Sequence, residues 1–307
     1  MRPIRGIALK ICSVLVFIVM SSLIKATTAH VPPGEAVFFR SFFAIPVIVA
    51  WLTFQGELGT GFKTDNPLGH VWRGFMGTVA MGLGFAGLGY LPLPEVTAIS
   101  YASPLLVVIF AAMFLGENVR AFRIGCVALG MTGVLIVLSP RLSVTSGNAV
   151  GQREALGAMI VLFSALCAAL AQVFVRKLVL TEKTATIVFY FSTTSTALSL
   201  LTIPFGWVWP TPVEAGLLIA AGLLGGVGQI LLTSCYREAD ASLVAPFDYA
   251  SMLFALTIGY FVFGEIPSLT MLEGAALVVT AGILIIWREH RLGLKRDKSR
   301  KAMTPQG

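Results

Sequence analysis

Residues 95–138, EVTAISYASPLLVVIFAAMFLGENVRAFRIGCVALGMTGVLIVL, return in altered form at 243–287 as LVAPFDYASMLFALTIGYFVFGEIPSLTMLEGAALVVTAGILIIW. At a constant offset Tyr101 falls on Tyr249, Ala102 on Ala250, Ser103 on Ser251, Leu105 on Leu253, Gly116 on Gly264 and Glu117 on Glu265. After a one-residue insertion Gly125 falls on Gly274 and Gly133 on Gly282. Each copy holds two long apolar runs split by a short Gly-Glu turn. The chain therefore reads as two similar halves, each ending in a helical hairpin.

Working outward, the 307 residues have a mean hydropathy of +0.86, are 56% hydrophobic and only 12% charged. A soluble globular domain carries about 25% charge, so the apolar segments are the protein. Runs of roughly 20 residues suit helices crossing hydrocarbon, and the short alternating strands of a closed barrel are missing. Seven of the 22 basic residues follow Trp287, so the net charge of +7 reads as a tail on an anionic lipid surface and not as a nucleic-acid footprint. Cys12, Cys126, Cys167 and Cys235 lie in or beside apolar spans without CxxC spacing and read as packing residues.

The apolar runs place spans near 6–27, 35–54, 72–91, 95–115 and 121–139, then 155–175, 184–203, 213–234, 241–263 and 268–287. The first is too long for a signal peptide, carries Lys10 and Lys25, and lacks a small-x-small cleavage site. Between the sets, PRLSVTSGNAVGQRE at 140–154 is polar and non-periodic. With the N-terminus in the cytoplasm, 17 basic residues fall at inner loops and ends against Lys25, Arg141 and Arg153 outside, with Lys10 and Arg40 within spans. An odd number of spans per half makes the halves enter with opposite polarity. The expected fold is an all-α integral membrane protein of ten transmembrane helices in two five-helix inverted repeats, both termini cytoplasmic.

Leu115-Gly116-Glu117 and Phe263-Gly264-Glu265 at matched places, Arg40 with Pro46 in the second helix, and Tyr101-Ala102-Ser103-Pro104 in the fourth resemble the EamA domains of the drug/metabolite transporter superfamily. The resemblance covers nearly the whole chain: a first repeat at 1–140, a linker at 141–154, a second repeat at 155–287 and a basic cytoplasmic tail at 288–307. Met252 stands where the first copy has Pro104, which leaves the symmetry of any helix bend open. The family resemblance implies a multi-pass carrier of small organic solutes in the bacterial inner membrane. In overall character the chain is also similar to the bacterial riboflavin importers of this superfamily. Riboflavin uptake is thus the leading cargo reading, with export of amino acids or related metabolites as the alternative.

Ionisable groups within a membrane span are functional candidates, here Lys10, Arg40, Glu95 and Asp248. Asp248 lies about seven residues, or roughly 10 Å, into the ninth span. Lys10 enters from the same side to a comparable depth, so an ion pair between the halves is possible. The alternative is that Lys10 snorkels to the interface while Asp248 bonds a neighbouring hydroxyl or backbone group. Arg40 can hold an anionic or carbonyl-rich group, or act as a strut to Glu95. Tyr101 and Tyr249 present flat faces and hydroxyls at matched positions, and Phe189, Tyr190 and Phe191 occupy the place that Phe38 to Arg40 hold in the first half; each also fits simple packing. Gln172 and Gln229 are polar within spans and can line a cavity or bond a neighbouring helix. Glu117 and Glu265 suit capping or ion pairing at helix ends. Gly82-x-Gly84-x-x-Gly87 and Gly222-x-x-x-Gly226 read as close helix packing, since the former lacks the strand that a dinucleotide site needs.

No HExxH, paired intramembrane aspartates, Ser/His arrangement or phosphate loop occurs, and His30, His70 and His290 read as loop or terminal residues. An intramembrane enzyme is therefore disfavoured, and no metal or cofactor is expected. A non-transporting scaffold lacks the large loops it would need. The expected partners are the lipid bilayer and a small-molecule substrate, not nucleic acid; a homodimer is left undecided. The expected mechanism is alternating access around a cavity lined by helices 1–4 and 6–9, with helices 5 and 10 as outer braces.

Overall fold

Long apolar runs without internal breakers become single helices, and the runs that hold Pro46 and Pro104 are divided. The computed structural model describes residues 3–56, 63–115, 121–143, 149–178, 181–238 and 245–303. In chain order these form α1 (Pro3–Lys25), α2 (Pro33–Phe42), α3 (Ala44–Phe54), α4 (Pro67–Leu88), α5 (Leu93–Ser100), α6 (Ala102–Leu115), α7 (Ala121–Ser143), α8 (Ala149–Leu178), α9 (Thr184–Leu200), α10 (Pro212–Glu238), α11 (Ala250–Phe263) and α12 (Leu269–Met303). Short 3₁₀ turns occupy Ile203–Phe205 and Ala245–Tyr249. Among the described residues there is no strand.

Among the described residues, seven segments are long and apolar enough to cross a membrane: Ile4–Lys25, Pro33–Phe54, Leu93–Phe110, Ile124–Arg141, Gly151–Val175, Pro212–Leu232 and Leu269–Arg288. The protein is a multi-pass membrane protein. The other expected spans correspond to α4, α9 and the shorter apolar segment Phe247–Phe263.

The second expected span divides at Phe43, where Pro46 has no N–H to give the Phe42 carbonyl four residues back. The fourth divides at Tyr101 for the same reason, with Pro104 facing the carbonyl of Ser100. In the second copy the 3₁₀ turn gives way to α11 after Tyr249, the residue matched to Tyr101, although Met252 replaces the proline. The bend is therefore kept at matched positions by different means.

Packing joins elements from opposite halves: α1 with α10, α4 with α8, α2 with α9, α5 with α11, and α7 with α12. Small residues let these helices approach closely. A Cβ at Gly133 would come within 2.6 Å of the Gly274 carbonyl, and one at Gly87 within 2.2 Å of Val161. Gly222 and Gly226 lie as tightly against the α2–α3 bend, facing Phe43 and Val47. Gly87, Gly222 and Gly226 thus serve packing, whereas Gly82 meets only Val37 at an ordinary contact distance.

Two boundaries differ from expectation. α7 and α8 run into the anticipated linker, leaving 144–148 outside the described residues, as are Gly116 and Glu117. The basic tail continues α12 as helix through Met303, since its Lys- and Arg-rich sequence keeps good helix propensity beyond Trp287.

Candidate substrate site

The broken helices α5 and α11 meet at their interruptions. There Tyr101 and Tyr249 contact edge to face, with ring centres 5.1 Å apart. The Ser251 hydroxyl donates to the Asp248 carbonyl at 2.7 Å, so its oxygen is left to accept from the Tyr101 hydroxyl. The Tyr249 hydroxyl is pressed against Gly282, where any Cβ would overlap it. A cavity of about 260 Å³ opens beside Tyr101 and Ser251, walled by α1, α4 and α5 through residues such as Ser21, Met81, Phe85 and Thr97. That is below the roughly 300–1,000 Å³ usual for metabolite pockets.

Lys10 is 2% exposed and its Nζ lies 2.6 Å from Asp248 Oδ1. The depth argument is met, and Lys10 does not snorkel. Asp248 is nearly half exposed at 46%, so the pair has one covered and one open partner. Because α1 supplies the lysine and the α10–α11 segment the carboxylate, the pair ties the first half to the second.

At the other end of α1, Lys25 pairs with Glu265 at 2.9 Å and donates to the carbonyls of Leu88 and Leu91. Gly264, at φ 65°, turns the chain at the end of α11 and brings Glu265 to accept from the Leu93 N–H. The structural expectation for Glu265 is met. Glu95 takes a bidentate fork from Arg141, at 2.6 and 3.1 Å, and Arg141 also reaches Glu154. Glu95 is therefore not the partner of Arg40: it sits in the first turn of α5 at the end of the bundle where α7 and α8 deliver Arg141 and Glu154.

Arg40 is 5% exposed, and among the described residues its Nε has no hydrogen-bond partner. Its guanidinium lies 5.5 Å from the centre of the Phe191 ring, and that of Arg73 lies 3.6 Å from the same ring. Tyr190 is elsewhere, stacked on the buried His70 at 4.8 Å. His70 in turn lies 3.7 Å from Glu182. Gln172 is exposed on α8 and Gln229 half-buried on α10, and neither lines the cavity. Polarity within a span does not specify which face of the helix carries it.

Sequence reasoning missed three participants. Arg73 was counted as an inner-end charge, yet its position three residues after His70 and four before Gly77 sets all three on one face of α4. Ser251 was only a repeat marker. Glu182 was not singled out, although it accepts from the Thr64 hydroxyl and the N–H groups of Asp65 and Asn66. Burial raises its pKa, but those hydrogen bonds and the nearby His70 outweigh burial and hold the carboxyl below its ordinary value.

Residues 4–139 and 155–287 each match the EamA-like transporter family. The chain belongs to that family. It is 30% identical to a pseudopaline exporter of Pseudomonas aeruginosa over 91% of this chain and 95% of the other. It is 27% identical to an S-adenosylmethionine uptake transporter of Rickettsia bellii, over 85% of this chain and 86% of the other. A riboflavin transporter of Rhizobium johnstonii is 29% identical over 85% of this chain and 83% of its own length. A solved crystal structure aligns with 94% of this chain and 98% of its own at a TM-score of 0.66 and 20% identity, a likeness of fold.

Proposed function

We propose that this EamA-family chain is a secondary-active carrier of a small organic metabolite in the bacterial inner membrane. On this reading it has ten spans in two inverted five-helix repeats and both termini in the cytoplasm. The observation that carries it is the Lys10–Asp248 pair, a costly intramembrane contact between the halves beside two matched tyrosine bends. The exchange pattern of the packing supports the inverted repeat, because swapping the halves turns the α1–α10 contact into the α8–α4 contact. In alternating access the Lys25–Glu265 and Glu95–Arg141–Glu154 clusters close one end of the bundle and must part when that end opens. Opening also enlarges a cavity that is now small for a metabolite.

Riboflavin uptake is the first cargo to test, since Tyr101 and Tyr249 suit a flat ring system. Export of amino-acid-like metabolites is the alternative. The named relatives carry three different cargoes at nearly equal identity, so the family membership identifies the machine and not the solute. The experiment is counterflow in vesicles containing the purified protein, with labelled riboflavin, S-adenosylmethionine and amino acids. Exchange of any of them supports a carrier; chemical turnover without exchange would instead point to an intramembrane enzyme. Surface-restricted labelling that places the C-terminus outside would overturn the inverted topology.

A further inference from the structure

From the two unpartnered arginines set against the ring of Phe191 we infer that Arg40 and Arg73 form an anion subsite, which takes a carboxylate group of the transported metabolite. This rests on the carrier reading and adds the substrate's chemical class to it. Arg40 comes from α2, Arg73 from α4 and Phe191 from α9, so three helices converge on one ring. Among the described residues, Arg40 Nε and Arg73 Nε and Nη1 are covered and have no hydrogen-bond acceptor, and no carboxylate pairs with either guanidinium. Cations within a membrane are ordinarily paired or face a water-filled path, and two of the same sign beside one ring repel each other. An anion between or beside them would satisfy the open donors and remove the repulsion.

The helices close tightly on the two arginines, so such a group enters as they part: a Cβ on Gly225 would already crowd Arg40 Nε at 3.1 Å and the sulfur of Met20 at 3.2 Å, and one on Gly77 would lie 2.8 Å from the Phe191 ring and 3.6 Å from Arg73 Nη1. Met20 falls between Ile18 and Ser21, which line the central cavity on α1; Gly77 lies one turn before Met81, which lines it on α4. The pair shares α1 and α4 with the cavity wall but does not line the cavity, so joining the two requires the bundle to open. A planar guanidinium fork matches a carboxylate, and the Phe191 ring beside both arginines suits a substrate with an apolar or aromatic body.

The test uses the purified full chain in detergent, with phenylacetate as the probe and phenylacetamide as its neutral match. Phenylacetate is expected to raise the thermal midpoint in a saturable way and phenylacetamide to leave it unchanged. Arg40→Gln and Arg73→Gln should each weaken apparent phenylacetate affinity by roughly tenfold, and Arg73→Lys should restore part of it. If Arg40→Gln does not fold, Gly225→Ala, whose methyl crowds and displaces the Arg40 side chain without removing its charge, should weaken affinity in the same direction. Equal protection by the amide, unchanged affinity in the arginine and glycine variants, or protection by inorganic phosphate but not phenylacetate would overturn the subsite. Asp248→Asn should lose counterflow yet keep phenylacetate binding. Loss of wild-type counterflow with binding intact would sink the carrier reading alone, and binding indifferent to the arginines would sink the subsite alone.

Discussion

The two copies of the broken helix are interrupted at matched positions and differ in charge. In the first copy the interruption at Tyr101 is followed by Pro104 and preceded by Ser100, whose hydroxyl merely bonds back to the Val96 carbonyl. In the second copy the interruption at Tyr249 has no following proline, and Ser100 is replaced at the matched position by Asp248, held by Lys10. Arg40 and Arg73, conversely, belong to the first half, and Phe191 of the second half stands at the place matched to Arg40. Duplication supplied two interchangeable scaffolds, and divergence distributed the ionisable groups between them. A carrier needs the likeness for its motion and the difference for its chemistry.

The sharpest way to break that comparison is to erase the charge difference. Asp248→Asn should lower counterflow at least tenfold while the protein still reaches the membrane, a loss of about 1.4 kcal/mol or more in the transport step. It also strands a buried Lys10. Breaking a buried pair costs about 3–5 kcal/mol, but Asp248 is 46% exposed, so we expect roughly 1–3 kcal/mol of destabilisation. Lys10→Met combined with Asp248→Asn should recover thermal stability without recovering transport. Full counterflow in Asp248→Asn would show that the asymmetry is structural only.

The next largest effect concerns how the second bend is held. Gly282→Ala places a methyl group 1.5 Å from the Tyr249 hydroxyl, an overlap that must displace either the ring or α12. Overpacking of this kind costs about 1–3 kcal/mol. Tyr249→Leu in the same chain should suppress the defect in thermal midpoint; an uncorrected double variant would mean that the crowding lies elsewhere. A smaller change is expected at the first bend. If Tyr249 bends with no proline after it, Pro104→Ala should keep the break at Tyr101 and shift stability by no more than about 1 kcal/mol. A collapse of transport in Pro104→Ala would show that only the first bend depends on its proline.

Much of this was legible before the coordinates, for identifiable reasons. Apolar runs report helices because lipid admits little else, and the duplicated Tyr-Ala-Ser and Gly-Glu signals survive because they sit at bends and caps. Matching depth made the Lys10–Asp248 contact possible but left snorkelling open, and the structure shows the contact formed. Partner choice was not legible where several charges share a depth. Glu95 was assigned to Arg40 as one option, yet Arg141, close to it only after α7 and α8 pack, takes both its oxygens. His70 read as a loop residue because the polar run before it hides that Asn66 caps α4, with its side chain accepting from Gly69 N–H. Gln172 misled because helical phase relative to the partners depends on tertiary packing.

Corresponding turns offer the finest comparison. Glu35, in the turn that opens α2, accepts from the Val208 N–H in the loop before α10, and Glu182, in the turn that opens α9, accepts from Asp65 and Asn66 in the loop before α4. Each half thus pins a loop of the other with a carboxylate. For Glu182, burial opposes ionisation but the hydrogen bonds and His70 prevail, so its folded pKa lies below the ordinary 4.5. A depressed carboxyl contributes stability that is present above that ordinary value and fades as pH falls through the lower folded one. Glu182→Gln keeps an acceptor but removes its charge, so it should cost about 0.5–1 kcal/mol at neutral pH. The difference in thermal midpoint between wild type and variant should then shrink only as the pH drops below 4.5. A gap that persists undiminished in acid would assign Glu182 a packing role, and the likeness between the two turns would then be one of position and not of electrostatics.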